Sequence, residues 1–155
     1  MHACDPALWS MLTRLALSFG LNEAAAKIWS LLLLVDKPLS QKEIASLSSY
    51  SVGVVSSNLS LLESRGLVAR VGRAGRARLY AAKATVSDLV AMFLSDIVNC
   101  QLSAIAEYLR ALNGENSCLS VKELKGEVLL LLRRLNSLVR RLKRLKNPWY
   151  GGPAR

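Results

Sequence analysis

Four arginines lie within nine residues near the middle of the chain: Arg70, Arg73, Arg76 and Arg78. A guanidinium group stays protonated at physiological pH, and its planar set of N–H donors matches the oxygens of a phosphate. Between positions 51 and 84 there are six basic residues and one acidic residue, so this segment carries a net charge of +5. These residue types at this spacing favour the binding of a polyanion.

The arginines belong to a predicted β-hairpin. Leu67 to Val71 forms the first β-type run, Ala77 to Ala82 forms the second, and a glycine-bearing loop from Gly72 to Arg76 joins them. A hairpin that carries its cations around the tip resembles a wing, which enters the minor groove of DNA or lies along its phosphates.

The hairpin arginines allow two readings. Arg76, Arg78 and Tyr80 alternate with Ala77 and Leu79, which predicts three polar tips on one face of the second strand. This grouping favours a functional role in binding phosphate. Arginine is also common on exposed strands that bind nothing, and this alternative reading stays open.

Two helices precede the hairpin. Ser40 and Glu43 form a capping box, which predicts the start of a short first helix. A three-residue turn, 48–50, leads to a second helix from Ser51 to Arg65, which stops at Gly66. Helix, turn, helix and basic hairpin follow one another in the order of a winged helix-turn-helix.

The second helix of this motif has one apolar face and one polar face. Val55, Leu59 and Leu62 recur at helical spacing and are expected to pack inward. We name the opposite side the reading face, and its residues are Ser51, Val52, Gly53, Ser56, Ser57 and Ser60. These residues are predicted to enter a major groove, where the serines reach phosphates or base edges and Val52 touches a thymine methyl group. The alternative is a solvated helix surface.

The reading face lacks arginine, lysine and glutamine. Those residues make the two-pronged base contacts that contribute about 1–3 kcal/mol each to sequence discrimination. Base reading is therefore expected to be modest, with much of the affinity coming from the DNA backbone and its shape.

Helices are predicted on both sides of the motif. Asp5-Pro6 starts a helix that runs to residue 19, with Leu8, Leu12, Leu15 and Phe19 on one stripe. Asn22 caps the next helix. After the hairpin, Thr85 or Ser87 caps a continuous helix to about Asn113, which is apolar on more sides than a singly packed helix needs.

The last helix, from a cap at Ser120 to Lys146, carries a regular apolar seam. Its a and d positions are Val121, Leu124, Val128, Leu131, Leu135, Leu138, Leu142 and Leu145. Leu132 and Val139 occupy e positions and broaden this seam, which favours a bundle of three or more helices. The sequence therefore predicts a homodimer interface along the seam. The basic run from Arg140 to Lys146 is read as the solvated side of this helix, with a phosphate or membrane contact as the alternative.

The charge distribution supports two regions with different roles. The chain has 155 residues and a net charge of +10, and positive charge is concentrated in residues 51–84 and 120–155. The segment 85–119 between them has one basic and four acidic residues, so its net charge is −3. We expect a DNA-binding domain over 1–84, a helical dimerisation region over 85–147 and a tail over 148–155, with helix 5–19 shared with the dimer bundle.

The sequence supports neither catalysis nor a cofactor. Cys4, Cys100 and Cys118 have no metal-ligand spacing, and Cys100 is expected in the core. His2 is the only histidine, and no phosphate-binding loop motif is present. Apolar runs such as 31–35 are only five residues long, so no membrane span or membrane partner is expected and the cytoplasm is the predicted location.

Residues 20–82 resemble the winged-helix domain of the MarR superfamily, particularly its GbsR-like and TrmB-like branches, which are common in archaea. The likeness lies in residues 20–29, in residues 37–45, in residues 55–59 of the second motif helix, and in residues 62–68, which run from that helix into the hairpin. The resemblance implies a dimeric transcription regulator with a dimer interface formed by the terminal helices, often tuned by a small ligand. This chain departs from the family pattern at Val52-Gly53-Val54 and Ser56-Ser57, where relatives often carry polar or basic residues.

Together these features predict a mainly α-helical fold with a small β-hairpin wing, a winged helix-turn-helix whose long C-terminal helices form a dimerisation bundle. The expected function is sequence-specific binding of double-stranded DNA by a homodimer, as a transcription regulator and by preference a repressor. Two alternatives remain, a sequence-nonspecific architectural nucleic-acid-binding protein and a winged-helix protein-interaction module. A small-molecule effector stays unidentified. Its candidate pocket residues are Trp9, Trp29, Tyr108 and Trp149, although core packing is the more frequent use of such aromatic side chains.

Overall fold

The structure, a computed structural model, describes residues 5–35, 37–112 and 119–144. In chain order the elements are α1 (Pro6–Ser18), α2 (Glu23–Leu34), β1 (Leu39–Ser40), α3 (Gln41–Ser48), α4 (Val52–Ser64), β2 (Val68–Ala74), β3 (Ala77–Ala82), α5 (Val86–Asp96), α6 (Ser103–Ala111) and α7 (Leu119–Leu142). A π-helical segment, Ile97–Leu102, joins α5 to α6. The fold is therefore mainly α-helical with a small antiparallel sheet, as the sequence predicts.

The described residues form two compact units. The first contains the residues up to Leu89, and the second contains those from Val90 onward. The boundary falls inside α5, whereas the sequence analysis places it at 84/85. The first unit holds the helix-turn-helix and the sheet, and the second holds α6 and α7.

Local caps explain where the helices of the first unit begin. Asp5 accepts hydrogen bonds from the first turn of α1, and Asn22 accepts one from the backbone N–H of Ala25 at 2.8 Å. Ser40 and Glu43 form both hydrogen bonds of the predicted capping box at the start of α3. Ser51 Oγ caps α4 by accepting from the backbone N–H of Val54. Each cap satisfies N–H groups that the helix itself leaves unpaired.

The core of the first unit forms under α2 and α4. Ile28 and Trp29 on α2 are fully buried, as are Val55 and Leu62 on α4, with Leu59 almost so. The inward face predicted for α4 is confirmed. On α1, however, the side packed on α2 is that of Thr13, whose Oγ1 lies 2.8 Å from Ser30 Oγ. The stripe of leucines predicted on α1 is only partly buried, and its Leu8 remains 44% exposed.

The sheet has three strands in the order β1-β3-β2, and the sequence analysis missed β1. Leu39 of β1 pairs with Tyr80 of β3. The hairpin is also longer than predicted, because β2 continues to Ala74 and leaves only Gly75 and Arg76 in the turn. Gly75 has φ +58°, a left-handed value that suits glycine in a two-residue hairpin turn. An irregularity between Arg70 and Gly72 shifts the pairing register of β2 against β3.

The long helix predicted over 86–113 is interrupted. Thr85 and Asp88 form the capping interactions at the start of α5, which selects Thr85 over Ser87 as the cap. In the π-helical segment, Ser103 Oγ donates to the carbonyl of Val98 at 2.8 Å. Cys100 is exposed in this segment, so its expected place in the core is wrong. An inserted residue in a π turn displaces the helical register, which periodicity alone does not reveal.

The second unit packs α6 against α7. Its buried cluster contains Ala106, Leu109 and Val128, with Val121 and Leu132 packed against it. Ser120 was predicted to precede the last helix as its cap. Helix α7 already includes Leu119 and Ser120, so this prediction is wrong.

One helix among the described residues, Val86–Ala111, is long and apolar enough to cross a membrane by length and composition. The helix itself was expected, but the short apolar runs did not indicate that it is apolar enough overall to meet this criterion. Only 22% of its apolar window is buried within the single chain. Length and composition do not separate a membrane span from a helix that packs against other helices, and one such helix is weak support for a span.

Candidate nucleic-acid interface

The first turn of α4 is open to solvent. Ser51, Val52, Gly53 and Val54 are all exposed, and the two valine side chains are 45% and 39% exposed. Val54 is a surface residue that the sequence analysis left out of the reading face. Its exposure follows from its position in the first helical turn, which projects beyond the core contacts of Val55.

The remaining reading-face residues lie further along the same helix. Ser57 and Ser60 are exposed, whereas Ser56 is half-buried. Ser49 has φ +60° in the turn between α3 and α4, and this left-handed conformation reverses the chain between the two helices. The structure therefore gathers the predicted reading face on one side of α4, with Ser56 at its margin.

The serine hydroxyls on this face are already engaged with the helix backbone. Ser57 Oγ donates to the carbonyl of Val54 at 3.0 Å, and Ser60 Oγ donates to the carbonyl of Ser56 at 3.1 Å. Such bonds back to the preceding turn use the hydroxyl proton and leave the oxygen lone pairs facing outward. The face consequently presents hydrogen-bond acceptors and valine methyl groups.

Gly53 has no packing reason to be a glycine. A Cβ built at this position would meet only Ser51 Oγ, at 3.9 Å. Glycine in a helix lowers the stability of the fold relative to alanine, so packing within the chain does not explain why residue 53 is a glycine. A bare backbone here lets another molecule approach α4 closely.

A polar network joins α3, α4 and the hairpin. Gln41 Nε2 donates to Ser56 Oγ at 3.4 Å and to Tyr80 Oη at 3.3 Å. Tyr80 is 2% exposed, so the predicted three polar tips on β3 are wrong, because pairing with β1 places Tyr80 inside the sheet. Sequence reasoning missed Gln41. Its role as a positioning residue depends on contacts with Ser56, which is 15 positions away in the sequence, and with Tyr80, which is 39 positions away.

Arg70 differs from the other hairpin arginines. Its Nη2 donates to Glu63 Oε2 at 2.7 Å, and its guanidinium lies 6.0 Å from the centroid of the Tyr80 ring. The hydrogen bond and charge of Glu63 raise the pKa of Arg70 above its ordinary value. This ion pair links β2 to α4, so Arg70 holds the base of the wing against the reading helix while its charge is balanced. A DNA contact for Arg70 remains a prediction.

The tip of the wing carries uncompensated positive charge. Arg73 and Arg78 are direct cross-strand partners, Arg76 occupies the turn, and all three are exposed. Among the described residues, no carboxylate lies within ion-pair distance of these arginines. Like charges directly opposite each other on a hairpin are unfavourable, and a bound anion removes that repulsion. The wing tip is thus a concentration of exposed positive charge.

The heptad helix α7 divides its apolar residues between two faces. At the a and e positions, Val128 and Val139 are buried and the others that the structure describes are half-buried, namely Val121, Leu132, Leu135 and Leu142. Within the described part of one chain, the apolar a and e positions are therefore the better covered side of α7, and the a/d seam as a dimer interface stays a prediction.

The d positions of α7 form an unpartnered row. Leu124, Leu131 and Leu138 are 45%, 41% and 44% exposed. Leu145, the next residue of this row, lies outside the described residues. We call the three described leucines the d row. Arg140, Arg141, Lys143 and Arg144 are exposed, as expected for a solvated side, and Lys146 is outside the described ranges.

The aromatic residues considered for an effector pocket lie in different environments. Trp9 lines an open groove of about 350 Å³ together with Thr13, Arg14 and Lys27. Trp29 is fully buried, which gives it a core role, and Tyr108 is 67% exposed. Trp149 lies outside the described residues. Within the described ranges, no group of three or more His, Cys, Asp or Glu residues is placed to hold a metal ion.

Comparison with known proteins gives a structural likeness. No family model and no curated protein matches the chain. A solved structure described as the crystal structure of a transcriptional regulator matches with a TM-score of 0.59 and 19% sequence identity. The match covers 89% of this chain and 97% of the other. At this identity the likeness shows the fold, and the chain has the winged-helix-like architecture of that regulator.

Proposed function

We propose that the chain is a sequence-specific double-stranded DNA-binding transcription regulator that acts as a homodimer. The observation that carries this proposal is the unpaired arginine tip of the wing, held next to an exposed helix of groove-filling size. The likeness to a transcriptional regulator of the same fold supports it. The resemblance of residues 20–82 extends the proposal to the GbsR-like and TrmB-like branches of the MarR superfamily.

In this proposal α4 enters the major groove and the wing contacts the adjacent backbone. The Arg70–Glu63 ion pair and the Gln41 network fix the wing relative to α4. Arg73, Arg76 and Arg78 then meet phosphates without losing an internal carboxylate partner. Ser51 and the free backbone N–H groups at the start of α4 face a phosphate at the positive end of the helix dipole.

The d row supplies the proposed contact between two copies of the chain. Three exposed leucines at heptad spacing are self-complementary, so two copies of α7 can bury them against each other. The same assembly covers the apolar surface of α5 and α6, including Ile105 and Leu112, which are 45% and 41% exposed. A two-fold axis then presents two reading helices to half-sites about one helical turn, ~34 Å, apart. Occupation of such a site in a promoter represses transcription by excluding the polymerase.

Selection of bound fragments from a genomic DNA pool tests the proposal. We expect enrichment of a pseudo-palindromic sequence and a preference of roughly 10³-fold or more over random duplex at physiological salt. The full chain is used, and its mass in solution is measured by sedimentation in the same buffer. Absence of double-stranded DNA binding at low ionic strength overturns the proposed function.

An architectural, sequence-nonspecific role is the second candidate. The lack of arginine, lysine and glutamine on the reading face favours it, because sequence discrimination depends strongly on such residues. This role predicts nearly equal affinity for the enriched sequence and for random duplex. The same competition experiment therefore separates the two functions.

A further inference from the structure

We propose that α4 selects A·T base pairs, through the exposed methyl groups of Val52 and Val54 and the outward lone pairs of Ser57 and Ser60. This inference rests on the proposed function, since it concerns what α4 reads once it lies in the groove. It assigns Val54, absent from the sequence prediction, as a specificity-determining residue. It also assigns a base class to a site whose operator the sequence leaves open.

The valines provide the apolar half of the selection. Val52 and Val54 flank Gly53 on the first turn of α4, and both are among the large hydrophobic residues exposed to solvent. The space above Gly53 is open, so a base-pair edge can come close to the backbone between the two side chains. Thymine is the base that presents an apolar group in the major groove, namely its C5 methyl group.

The serines provide the polar half. Guanine presents two acceptors in the major groove, N7 and O6, and its recognition requires donors. The hydroxyl protons of Ser57 and Ser60 are already used by the carbonyls of Val54 and Ser56. The side-chain amide of Asn58 also donates inward, to the carbonyl of Val54 at 2.8 Å.

What this face offers is complementary to A·T pairs. An outward serine oxygen accepts equally from the N6 amino group of adenine and from the N4 amino group of cytosine, so the discrimination in favour of A·T comes from the thymine methyl group, which fits the valines. The Ser51 hydroxyl caps the helix and lies at its end, where a phosphate is the expected neighbour. The donors at the start of α4 are therefore assigned to phosphate, and the acceptors and methyl groups further round the helix to the base edges.

Replacing thymine by deoxyuridine tests the inference directly. Deoxyuridine keeps every Watson–Crick hydrogen bond and every phosphate but removes the C5 methyl group. The probe is the duplex that the protein enriches, prepared with thymidine or fully with deoxyuridine. We expect a loss of about fourfold in affinity for each contacted methyl group, the equivalent of one buried methylene.

The assignment to specific residues is tested with the Val52→Ala, Val54→Ala double variant. This variant should bind the two duplexes with equal affinity. Val71→Ala is the matched control, because Val71 is 43% exposed on β2 and lies outside α4. It should retain the preference for thymidine. Both changes replace exposed valines, and thermal unfolding of each variant establishes that it is folded.

The outcomes separate this inference from the proposed function. Equal affinity of the unmodified protein for thymidine and deoxyuridine duplexes overturns A·T selection through methyl groups and leaves DNA binding intact. A thymidine preference that persists in the double variant overturns the role of Val52 and Val54. Failure to bind either duplex at low ionic strength overturns the proposed function itself.

Discussion

Removing two of the wing-tip arginines should change the salt dependence of DNA binding more than any other property. Arg73 and Arg76 are exposed and have no carboxylate within ion-pair distance among the residues described. The Arg73→Ala, Arg76→Ala variant loses two phosphate contacts per protomer and four per proposed dimer. It also removes the repulsion between Arg73 and Arg78, so its thermal stability should be unchanged or slightly higher.

The magnitude follows from counterion release. Each phosphate contact contributes about 0.9 to the slope of log affinity against log salt concentration, so four lost contacts reduce that slope by about 3.6. Between about 50 and 200 mM monovalent salt, a fourfold change, the affinity of the unmodified protein should fall about 150-fold more than that of the variant.

Fluorescence anisotropy with one labelled duplex, measured over a series of salt concentrations, gives both slopes. The Arg14→Ala, Arg110→Ala variant is the matched control, because it removes two exposed arginines elsewhere and changes the net charge equally. Its slope should stay close to that of the unmodified protein. If the wing variant also keeps the original slope, the wing does not lie on phosphates and the assignment is wrong.

Three further predictions address the dimer, the reading helix and acid stability. The Leu131→Glu, Leu138→Glu double variant should be a monomer in sedimentation and should bind DNA weakly. Leu130→Glu is the control, because Leu130 is exposed but lies outside the d row, and it should remain a dimer. A dimer in both variants contradicts the d-row interface. Gly53→Ala should raise the free energy of unfolding by up to about 1 kcal/mol, because alanine is the better helix former. It should also weaken DNA binding, because the added methyl group blocks the close approach of DNA to α4. Undiminished affinity would show that α4 stays out of the groove. The Ser40 backbone and hydroxyl hydrogen bonds lower the pKa of Glu43, so this carboxylate stabilises the fold above its ordinary pKa and loses that contribution as pH falls through the lower folded-state value. Glu43→Gln should therefore lose less stability than the unmodified protein in thermal melts from about pH 6 to about pH 3, and equal losses would count against the capping box as an acid-sensitive element.

Several elements are predictable from the sequence because short-range interactions determine them. The capping box of Ser40 and Glu43 joins residues three apart, and it places the start of α3 correctly. The i, i+4, i+7 spacing of Val55, Leu59 and Leu62 identifies the buried side of α4 for a similar reason, since helix geometry puts them on one stripe. The order of helix, turn, helix and hairpin then leads to the fold.

Other features arise from contacts between distant parts of the chain. Tyr80 alternates with two arginines and therefore reads as a surface residue, but its pairing with Leu39 of β1 buries it. Arg70 has the same side chain as Arg73, yet only Arg70 meets a carboxylate, because the twist and register of β2 bring it to Glu63 on α4. Such differences depend on strand register, which composition does not specify.

By itself the sequence determined helices α1 to α4, the caps of the first three and the concentration of charge on a hairpin, since these depend on neighbours within one or two turns. Among the described residues, tertiary structure alone decided which hairpin arginines lack an ion pair, which tyrosine is buried and which leucines of α7 remain exposed. The apolar a and e residues of α7 are buried or half-buried within the chain, and the d row is left exposed. A heptad pattern fixes only the side chains that share a helix face, and the packing of neighbouring helices selects the face that is buried.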